Sequence, residues 1–367
     1  MFDTDIFVLG GGPAGLAAAI AARRSGFRVT LADASEPPID KACGEGLMPD
    51  ALHAAAALGI DIPETAGYAF KGIGFQNQLH HVTADFPNGT GLGVRRMALQ
   101  RLLAENAART GVELIWRTPV TGIERGIVSL GTKRMRSRWI VGADGSQSSV
   151  RRWAGLGDYK RNSLRFSYRR HYGVEPWSEY VEIFWGEGFE LYVTPVSAKE
   201  VCVVLMTRNH HRRVSDALPD CPQLQAHLRG APAVSTERGA YAAMRRLHRV
   251  TRGCVALVGD ASGDIDPITG EGLCLAFRQA GALAKALKAE DLCLYESAHR
   301  RLSRRPRWMA DFMLLMDRST FVQRRVMRAF AAHPRLFASM LAMHVGQSSP
   351  IQFAATTAAL GWRMAAR

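Results

Sequence analysis

The fold is decided by the stretch Asp5-Ile6-Phe7-Val8-Leu9-Gly10-Gly11-Gly12-Pro13-Ala14-Gly15. Its first five residues form a mainly apolar run typical of a buried parallel strand, and its glycines match the pattern G-x-G-x-x-G. An Ala-rich helix is predicted over residues 16–24 and a second strand over residues 27–32, which is followed by Asp33. A strand, a Gly-rich loop, a helix, a strand and an acid in this order predict a Rossmann-like unit that binds a dinucleotide.

Each part of this loop has a physical role. Gly10 permits a tight turn, Gly12 lets the backbone approach a pyrophosphate, and Gly15 lets the helix pack closely against the strand. The helix N-terminus supplies unpaired N–H groups and a positive dipole end for the phosphates. Asp33 stands where a carboxylate can bond the ribose hydroxyls, and its charge would repel the 2′-phosphate of NADP. This segment alone leaves NAD and FAD open.

Two later segments each contain an apolar strand that ends close to an aspartate. Asp144 lies in the first, at residues 139–146, and Asp260 lies in the second, at residues 255–262. The second continues as Asp266-Pro267-Ile268-Thr269-Gly270-Glu271-Gly272-Leu273 into an Ala-rich helix. The strand is expected to deliver Asp260 toward a polyol, and the turn places a second helix N-terminus on the ligand. Two helix N-termini suit a ligand with a central pyrophosphate and two arms.

Together these motifs resemble the p-hydroxybenzoate hydroxylase-type FAD-dependent oxidoreductase superfamily, and the resemblance covers most of residues 1–290. It implies that the dinucleotide is FAD, that Asp260 binds the ribityl chain and that residues 267–273 border the isoalloxazine ring. It also implies that Arg96, with Arg95 as the alternative, contacts the adenosine side, where the backbone of Val120 meets the adenine. The predicted cofactor-binding residues are Gly10, Gly12, Pro13, Ala14, Gly15, Asp33, Gly44, Arg96, Val120, Asp144, Asp260, Pro267, Gly270, Gly272 and Leu273.

Pattern and resemblance predict an α/β fold with three parts. A Rossmann-like FAD-binding lobe is expected at residues 1–75, 90–155 and 250–290. An inserted antiparallel β-sheet substrate lobe is expected at residues 76–89 and 156–249, where strand-like alternation recurs. A C-terminal helical cap, which we expect to pack on the FAD lobe, is predicted over residues 291–367. Its helices are predicted at residues 295–304, 308–328, 335–345 and 351–366, with breaks at Pro306, Pro334 and Pro350.

Two branches of the superfamily compete for the reaction. Residues 41–49 and 266–272 are similar to geranylgeranyl reductases, but the Tyr/Trp-x-Phe-Pro segment of those enzymes is replaced by Glu190-Leu191-Tyr192-Val193-Thr194-Pro195. We therefore expect a monooxygenase that hydroxylates a hydrophobic aromatic small molecule through a flavin C4a-hydroperoxide. Reduction of isoprenoid C=C bonds is the close alternative, and a flavin-binding protein without turnover is the third. The halogenase signature W-x-W-x-I-P is absent from the sequence.

Four side chains are candidates for the chemistry. Cys43 and Glu45 stand in a loop that lies near the flavin in the reductases, where a cysteine is implicated at the active site. The alternative for Cys43 is a small residue that fills the loop, and the alternative for Glu45 is an anchor that holds the loop through backbone N–H groups. Tyr192 and His171 are further polar candidates in the substrate lobe.

Charge and composition limit the partners. The formal net charge is +14, and residues 300–335 contain ten arginines but only two acids. The chain has no basic low-complexity tail, zinc-binding spacing or aromatic RNA-binding pattern, so we expect no nucleic-acid partner. The basic C-terminal helices are either a solvated face or a site of peripheral contact with anionic lipid headgroups.

The remaining expectations concern cofactors and location. Six scattered cysteines show no metal-ligand spacing, so we expect reduced thiols and no metal. Reduced thiols indicate a cytoplasmic protein, and peripheral contact with the inner face of the membrane is a further possibility that the basic helices raise. The first strand begins too early for a signal peptide, and no apolar run is long enough to span a membrane. No second G-x-G-x-x-G is present, so NAD(P)H or another electron donor is expected to act transiently as the reductant.

Overall fold

Two large β-sheets and a set of C-terminal helices form the computed structural model, which describes residues 1–365. The strands are β1 (Thr4–Leu9), β2 (Val29–Ala32), β3 (Gly46–Leu47), β4 (Tyr68–Phe70), β5 (Gly72–Gln76), β6 (His81–Asp85), β7 (Gly91–Gly93), β8 (Glu113–Ile115), β9 (Gly122–Glu124), β10 (Ile127–Leu130), β11 (Lys133–Gly142), β12 (Tyr159–Tyr172), β13 (Tyr180–Trp185), β14 (Phe189–Ser197), β15 (Glu200–Thr207), β16 (Arg238–Leu247), β17 (Thr251–Arg252) and β18 (Val255–Leu257). The helices are α1 (Pro13–Arg24), α2 (Pro49–Ala57), α3 (Arg96–Arg109), α4 (Ser149–Trp153), α5 (Val214–Ala217), α6 (Pro222–His227), α7 (Gly272–Lys288), α8 (Leu292–Arg318), α9 (Thr320–Ala332), α10 (Pro334–His344) and α11 (Pro350–Ala365).

The first sheet contains the predicted dinucleotide unit. Its strand order is β17-β18-β11-β1-β2-β8, and β1 pairs in parallel with both β2 and β11. These strands are apolar because helices cover them, and α1 packs in turn against α3 and α7. The predicted order of strand, helix and strand is confirmed. Helix α1 begins at Pro13, three residues earlier than expected, because proline is well tolerated in the first turn of a helix.

The second sheet has the strand order β16-β12-β15-β14-β13-β5-β6. The sequence placed residues up to 75 in the FAD lobe, but β5 belongs to this second sheet and pairs with β13. The sheet is also mixed, not wholly antiparallel, because β5 arrives from an earlier chain segment and runs parallel to β13. β3, β7 and β4 form a small third sheet that contacts β14, at the junction of the two large ones.

The C-terminal helices differ from the expected pattern in two ways. Helix α8 continues through Pro306, and the break falls instead at Ser319, whose side chain accepts the N–H of Val322 and caps α9. A proline removes a single helical hydrogen bond, and the buried position of Pro306 in a long packed helix outweighs that loss. Helix α8 packs against α7 of the FAD lobe as expected, but α9 and α10 pack against β6, so the cap covers part of the second sheet as well.

Candidate functional site

A cavity of about 700 Å³ is lined by residues of both large sheets and of helices α8, α9 and α10. Every residue predicted to bind the cofactor lines this cavity except Gly15. Gly15 packs behind the wall, where a Cβ atom would lie 1.9 Å from the carbonyl oxygen of Gly10. Segments that are distant in sequence therefore meet around one space.

The glycine loop shapes one end of the cavity. Gly10 has a φ of +114°, and a Cβ atom there would lie 2.4 Å from the carbonyl oxygen of Ala143. At Gly12 no described atom lies within 4 Å of the position that a Cβ would take, so the space beside it is open. Asp33 accepts the N–H groups of Gly11 at 2.6 Å and Ser35 at 2.7 Å, which fixes its carboxylate beside this loop.

Two neighbouring arginines have different environments. The side chain of Arg95 forms an ion pair with Glu200, away from the ligand space. Arg96 lines the cavity and is only 7% exposed, and its Nε has no hydrogen-bond partner among residues 1–365. A buried N–H group without such a partner is costly unless a ligand satisfies it. Arg96, the open space at Gly12 and the N-terminus of α1 therefore fit an anionic ligand such as the pyrophosphate-containing half of FAD.

The two predicted aspartates are engaged differently. Asp260 lies on the cavity with Lys41, whose Nζ is 3.2 Å from its carboxylate. Burial, helped by the negative charge of Asp260, raises the pKa of nearby Asp264 to about 7. The Asp144 carboxylate accepts the N–H groups of Ser149 and Val150 and so caps α4. Asp144 also lines the cavity, so its side chain holds the loop in place beside the predicted cofactor site.

Cys43 stands on the cavity wall in the loop between Ile39 and Gly46. Its sulfur accepts the N–H of Glu45 at 3.4 Å. Burial raises the pKa of the thiol above its ordinary value, although the positive charge of Arg96 opposes this shift. Cys43 is therefore a neutral thiol that keeps its proton at neutral pH, a state suited to a proton donor and not to a nucleophile.

Glu45 anchors the loop. It is buried with a φ of +60°, and its carboxylate accepts the backbone N–H of Arg96 at 2.9 Å, a guanidinium N–H of Arg169 at 3.2 Å and contacts His171 Nε2 at 2.7 Å. His171, predicted as a polar candidate in the substrate lobe, lies on β12 of the second sheet but is fully buried in this cluster and does not line the cavity. Glu45, His171 and Cys202 lie close enough to hold a metal ion, but Arg169 already supplies positive charge to Glu45.

Arg169 is a functional residue that the motifs did not reveal. Besides Glu45, its guanidinium donates to both carboxylate oxygens of Asp40, at 2.8 and 2.9 Å. One side chain of β12 thus holds both ends of the loop that carries Cys43. The local sequence around Arg169 matches no motif, and only its contacts with distant residues make the role visible.

Tyr192 connects β14 of the second sheet to the glycine-rich turn at residues 267–273. Its hydroxyl donates to the carbonyl oxygen of Ile268 at 2.8 Å, and its ring lines the cavity. Burial raises the pKa of this phenol well above its ordinary value, so it stays neutral. The donated proton is committed to the backbone, which makes Tyr192 a positioning residue for the turn.

The half of the cavity beyond this turn is apolar. Methionine and aromatic side chains of α8, α9 and α10 face apolar side chains of the second sheet across it. The helices contribute Met309, Phe312, Met313, Phe330, Phe337, Met340 and Leu341, and the sheets contribute Phe70, Ile73, Phe75, Val181, Ile183, Val204 and Met206. His344, at the end of α10, is a polar exception that the sequence did not single out. No helix within residues 1–365 combines the length and apolar content needed to cross a bilayer.

Known proteins resemble the chain in sequence. Menaquinone reductase of Mycobacterium tuberculosis is 27% identical over 324 residues, which cover 79% of this chain and 78% of the relative. Digeranylgeranylglycerophospholipid reductase 1 of Methanothermobacter thermautotrophicus is 28% identical over 335 residues, which cover 82% of this chain and 80% of the relative. A putative 2-heptyl-3-hydroxy-4(1H)-quinolone synthase of Rhodococcus erythropolis is 28% identical over 355 residues, covering 90% and 93%.

The fold and the family are also established by comparison. A flavoprotein/dehydrogenase from Cytophaga hutchinsonii superimposes with a TM-score of 0.82 at 18% identity, covering 93% of this chain and 92% of the other. A family model described as FAD binding domain matches residues 3–301. That span contains the glycine loop, Asp260 and the turn at residues 267–273. The chain therefore belongs to the FAD binding domain family and is a FAD-dependent oxidoreductase.

Proposed function

We propose that this FAD-dependent oxidoreductase reduces carbon–carbon double bonds in an isoprenoid-like, lipid-soluble substrate. The observation that carries this proposal is the apolar half of the cavity, which shares one continuous space with the predicted flavin site and with the neutral Cys43 thiol. Two relatives named as reductases support it, and one of these is a digeranylgeranylglycerophospholipid reductase. The comparisons do not confirm the preference for hydroxylation that the sequence suggested.

Saturation of one double bond requires a hydride on one carbon and a proton on the other. Bound FAD supplies the hydride when it is in its reduced form. Its two electrons come from an external donor, for which we propose a nicotinamide nucleotide or a redox protein. The Cys43 thiol gives its proton to the second carbon, and the resulting thiolate regains a proton from solvent. Arg169 and Glu45 hold the loop so that this thiol faces the cavity.

Hydroxylation of a hydrophobic aromatic ring remains the second candidate function. The relative named as a putative quinolone synthase supports it, since that relative matches 90% of this chain. Such a reaction inserts one oxygen atom of O₂ into the substrate and releases the other as water, with two electrons from the external donor. It requires no proton from Cys43, so this cysteine distinguishes the two candidates.

We expect Cys43→Ala to lower the rate of double-bond reduction at least tenfold and to leave the FAD content unchanged, because the variant lacks the proton donor. The holoenzyme is reduced with dithionite without oxygen and mixed with geranylgeraniol, and mass spectrometry follows the gain of two hydrogen atoms. Cys254→Ala, which alters a half-buried cysteine outside the cavity, is the matched control. A wild-type rate in Cys43→Ala would contradict the role of the thiol. A product of para-heptylphenol that gains one oxygen atom in air would favour hydroxylation.

We also propose that the C-terminal helices contact anionic membranes, from which a lipid-soluble substrate would be taken. Ile351 and Trp362 on α11 are 82% and 75% exposed, and ten arginines lie in residues 300–335. Exposed apolar side chains beside positive charge favour binding to a negatively charged bilayer surface.

The membrane proposal predicts that the protein floats with phosphatidylglycerol vesicles at low salt and not with phosphatidylcholine vesicles. The double variant Ile351→Ser/Trp362→Ser should reduce the bound fraction at least tenfold, because it removes the apolar contacts. Leu79→Ser changes an equally exposed residue between β5 and β6 and should not alter binding. Absence of wild-type binding at low salt would refute the contact.

A further inference from the structure

His344 is a buried polar side chain on the apolar part of the cavity wall. It is the last residue of α10, it is 6% exposed, and its Nδ1 atom has no hydrogen-bond partner within residues 1–365. A side chain that is desolvated in this way costs free energy unless a ligand or a nearby charge compensates it. Its apolar neighbours on the same helix, Met340 and Leu341, supply no such compensation.

Glu271 faces His344 from the turn that borders the predicted flavin site. Its Oε2 atom lies 3.7 Å from His344 Nδ1, and this oxygen also has no hydrogen-bond partner in the described part of the chain. The distance is too long for a hydrogen bond but short enough for electrostatic attraction. Because Nδ1 lies beside this carboxyl group, Nε2 is the ring nitrogen that is left to bond another molecule.

The position of this pair is fixed by other elements. Arg305 on α8 donates to Glu271 Oε1 at 2.8 Å and lies 3.5 Å from Asp50 on α2. Arg305 passes next to Gly346, where a Cβ atom would lie 1.6 Å from its Nη1. The residues just after His344 therefore pack around Arg305, which holds Glu271. Helices α2, α7, α8 and α10 all meet at this point.

From this geometry we propose that His344 binds an oxygen atom of the substrate and so orients an otherwise apolar molecule in the cavity. A neutral ring accepts the proton of a hydroxyl through Nε2, and a protonated ring donates to a carbonyl. Because Glu271 lies between Gly270 and Gly272 of the turn, the bound oxygen is held near the predicted ring end of FAD. His344 then determines which carbon atoms reach that end. This inference rests on the proposed function, since it assigns the polar group of that substrate.

The test measures binding and not turnover, so it can succeed even where the proposed reaction fails. The probes are para-heptylphenol and heptylbenzene, which differ by one hydroxyl group. Each is titrated into the oxidised holoenzyme, and its Kd is read from the change in the flavin absorption spectrum. Wild-type protein should bind the phenol about tenfold more tightly, which is the discrimination expected of one buried hydrogen bond.

The variants separate the hydrogen bond from simple packing. His344→Phe should lose the tenfold preference and bind heptylbenzene at least as well as wild type, because the ring shape is kept. His344→Gln should recover part of the preference, since its amide reaches a position close to that of Nε2. Met340→Leu, one turn earlier on the cavity wall, should change both Kd values by the same factor. A preference that survives in His344→Phe, or a wild-type protein that binds both probes equally or neither, would overturn the inference.

Discussion

Gly12→Val is expected to give a folded protein that has lost its FAD. The φ and ψ angles of Gly12, −72° and 174°, suit any residue, and its Cβ position is free of contacts with described atoms. The valine side chain therefore does not disturb the backbone but enters the space where the pyrophosphate approaches the loop. We expect the Kd for FAD to rise at least a hundredfold. Purified protein should be colourless, with a far-ultraviolet circular dichroism spectrum like that of the wild-type apoprotein.

The control for this variant is Gly157→Val. Gly157 also has no described atom within 4 Å of its Cβ position, but it is exposed and does not line the cavity. It should keep a wild-type FAD content, so any loss in Gly12→Val is not a general effect of valine on a glycine loop. Retention of FAD by a folded Gly12→Val would mean that the dinucleotide does not approach this loop.

The parts of the site that the sequence predicted are those in which each residue has a local backbone role. Gly10 and Gly15 are required by a turn and by close packing, and these requirements leave a pattern within about ten residues. Asp260 follows its own strand in the same way. Cys43 was found because its loop resembles that of a known family, although the resemblance did not reveal what holds the loop.

The residues that the sequence missed act through contacts between distant segments. Arg169 and His344 lie in an ordinary strand and an ordinary helix, and their partners Asp40 and Glu271 are far away in the chain. The predicted helix break at Pro306 was wrong. Proline disfavours a helix locally, but packing along the whole of α8 outweighs this preference. Hydrophobic periodicity identified the C-terminal helices but could not specify which sheet they cover.

Arg165 is the centre of a buried charge cluster that joins the second sheet to Asp266, before the turn at residues 267–273, and to helix α8. Its guanidinium contacts the carboxyl group of Glu190 and lies 3.6 Å from Asp266 and 3.7 Å from Asp317. Arg165 lies on β12 and Glu190 on β14. Asp266 precedes the turn at residues 267–273, and Asp317 lies at the end of α8. All four side chains are almost completely buried, and Arg208 brings a second positive charge to Asp317.

Arg165→Met should destabilise the protein by about 3–5 kcal/mol, because it removes a buried cation that lies among three acidic side chains. For a chain of this size we expect the melting temperature to fall by roughly 5 °C, measured by thermal unfolding at neutral pH. Arg28→Met is the control, since Arg28 forms an exposed ion pair with Asp5 and such pairs contribute less than about 1 kcal/mol. Equal effects of the two substitutions would show that the buried cluster has no special role.

The substitution Glu190→Gln tests whether Glu190 is protonated in the native state. Burial, and the nearby charges of Asp317 and Asp266, raise the pKa of Glu190 to about 8 despite Arg165. The native state then binds a proton that the unfolded chain, with a pKa near 4.5, releases. The stability that this proton supplies is fully present below pH 4.5 and is lost as the pH rises through 8.

A glutamine at position 190 resembles the protonated glutamate and does not titrate. The unfolding free energy of Glu190→Gln should therefore increase relative to that of wild type between about pH 5 and pH 8, by up to a few kcal/mol, as followed by urea unfolding at several pH values. If Glu190 were instead an ionised partner of Arg165, its native pKa would lie below 4.5, and the difference between variant and wild type would stay constant between pH 5 and pH 8. A slope in this range thus indicates a protonated acid, and a flat line indicates a salt bridge. The measurement thus shows whether Glu190 carries a proton beside Asp266 and Asp317. Such a proton lets three acidic side chains lie close together next to the turn at residues 267–273.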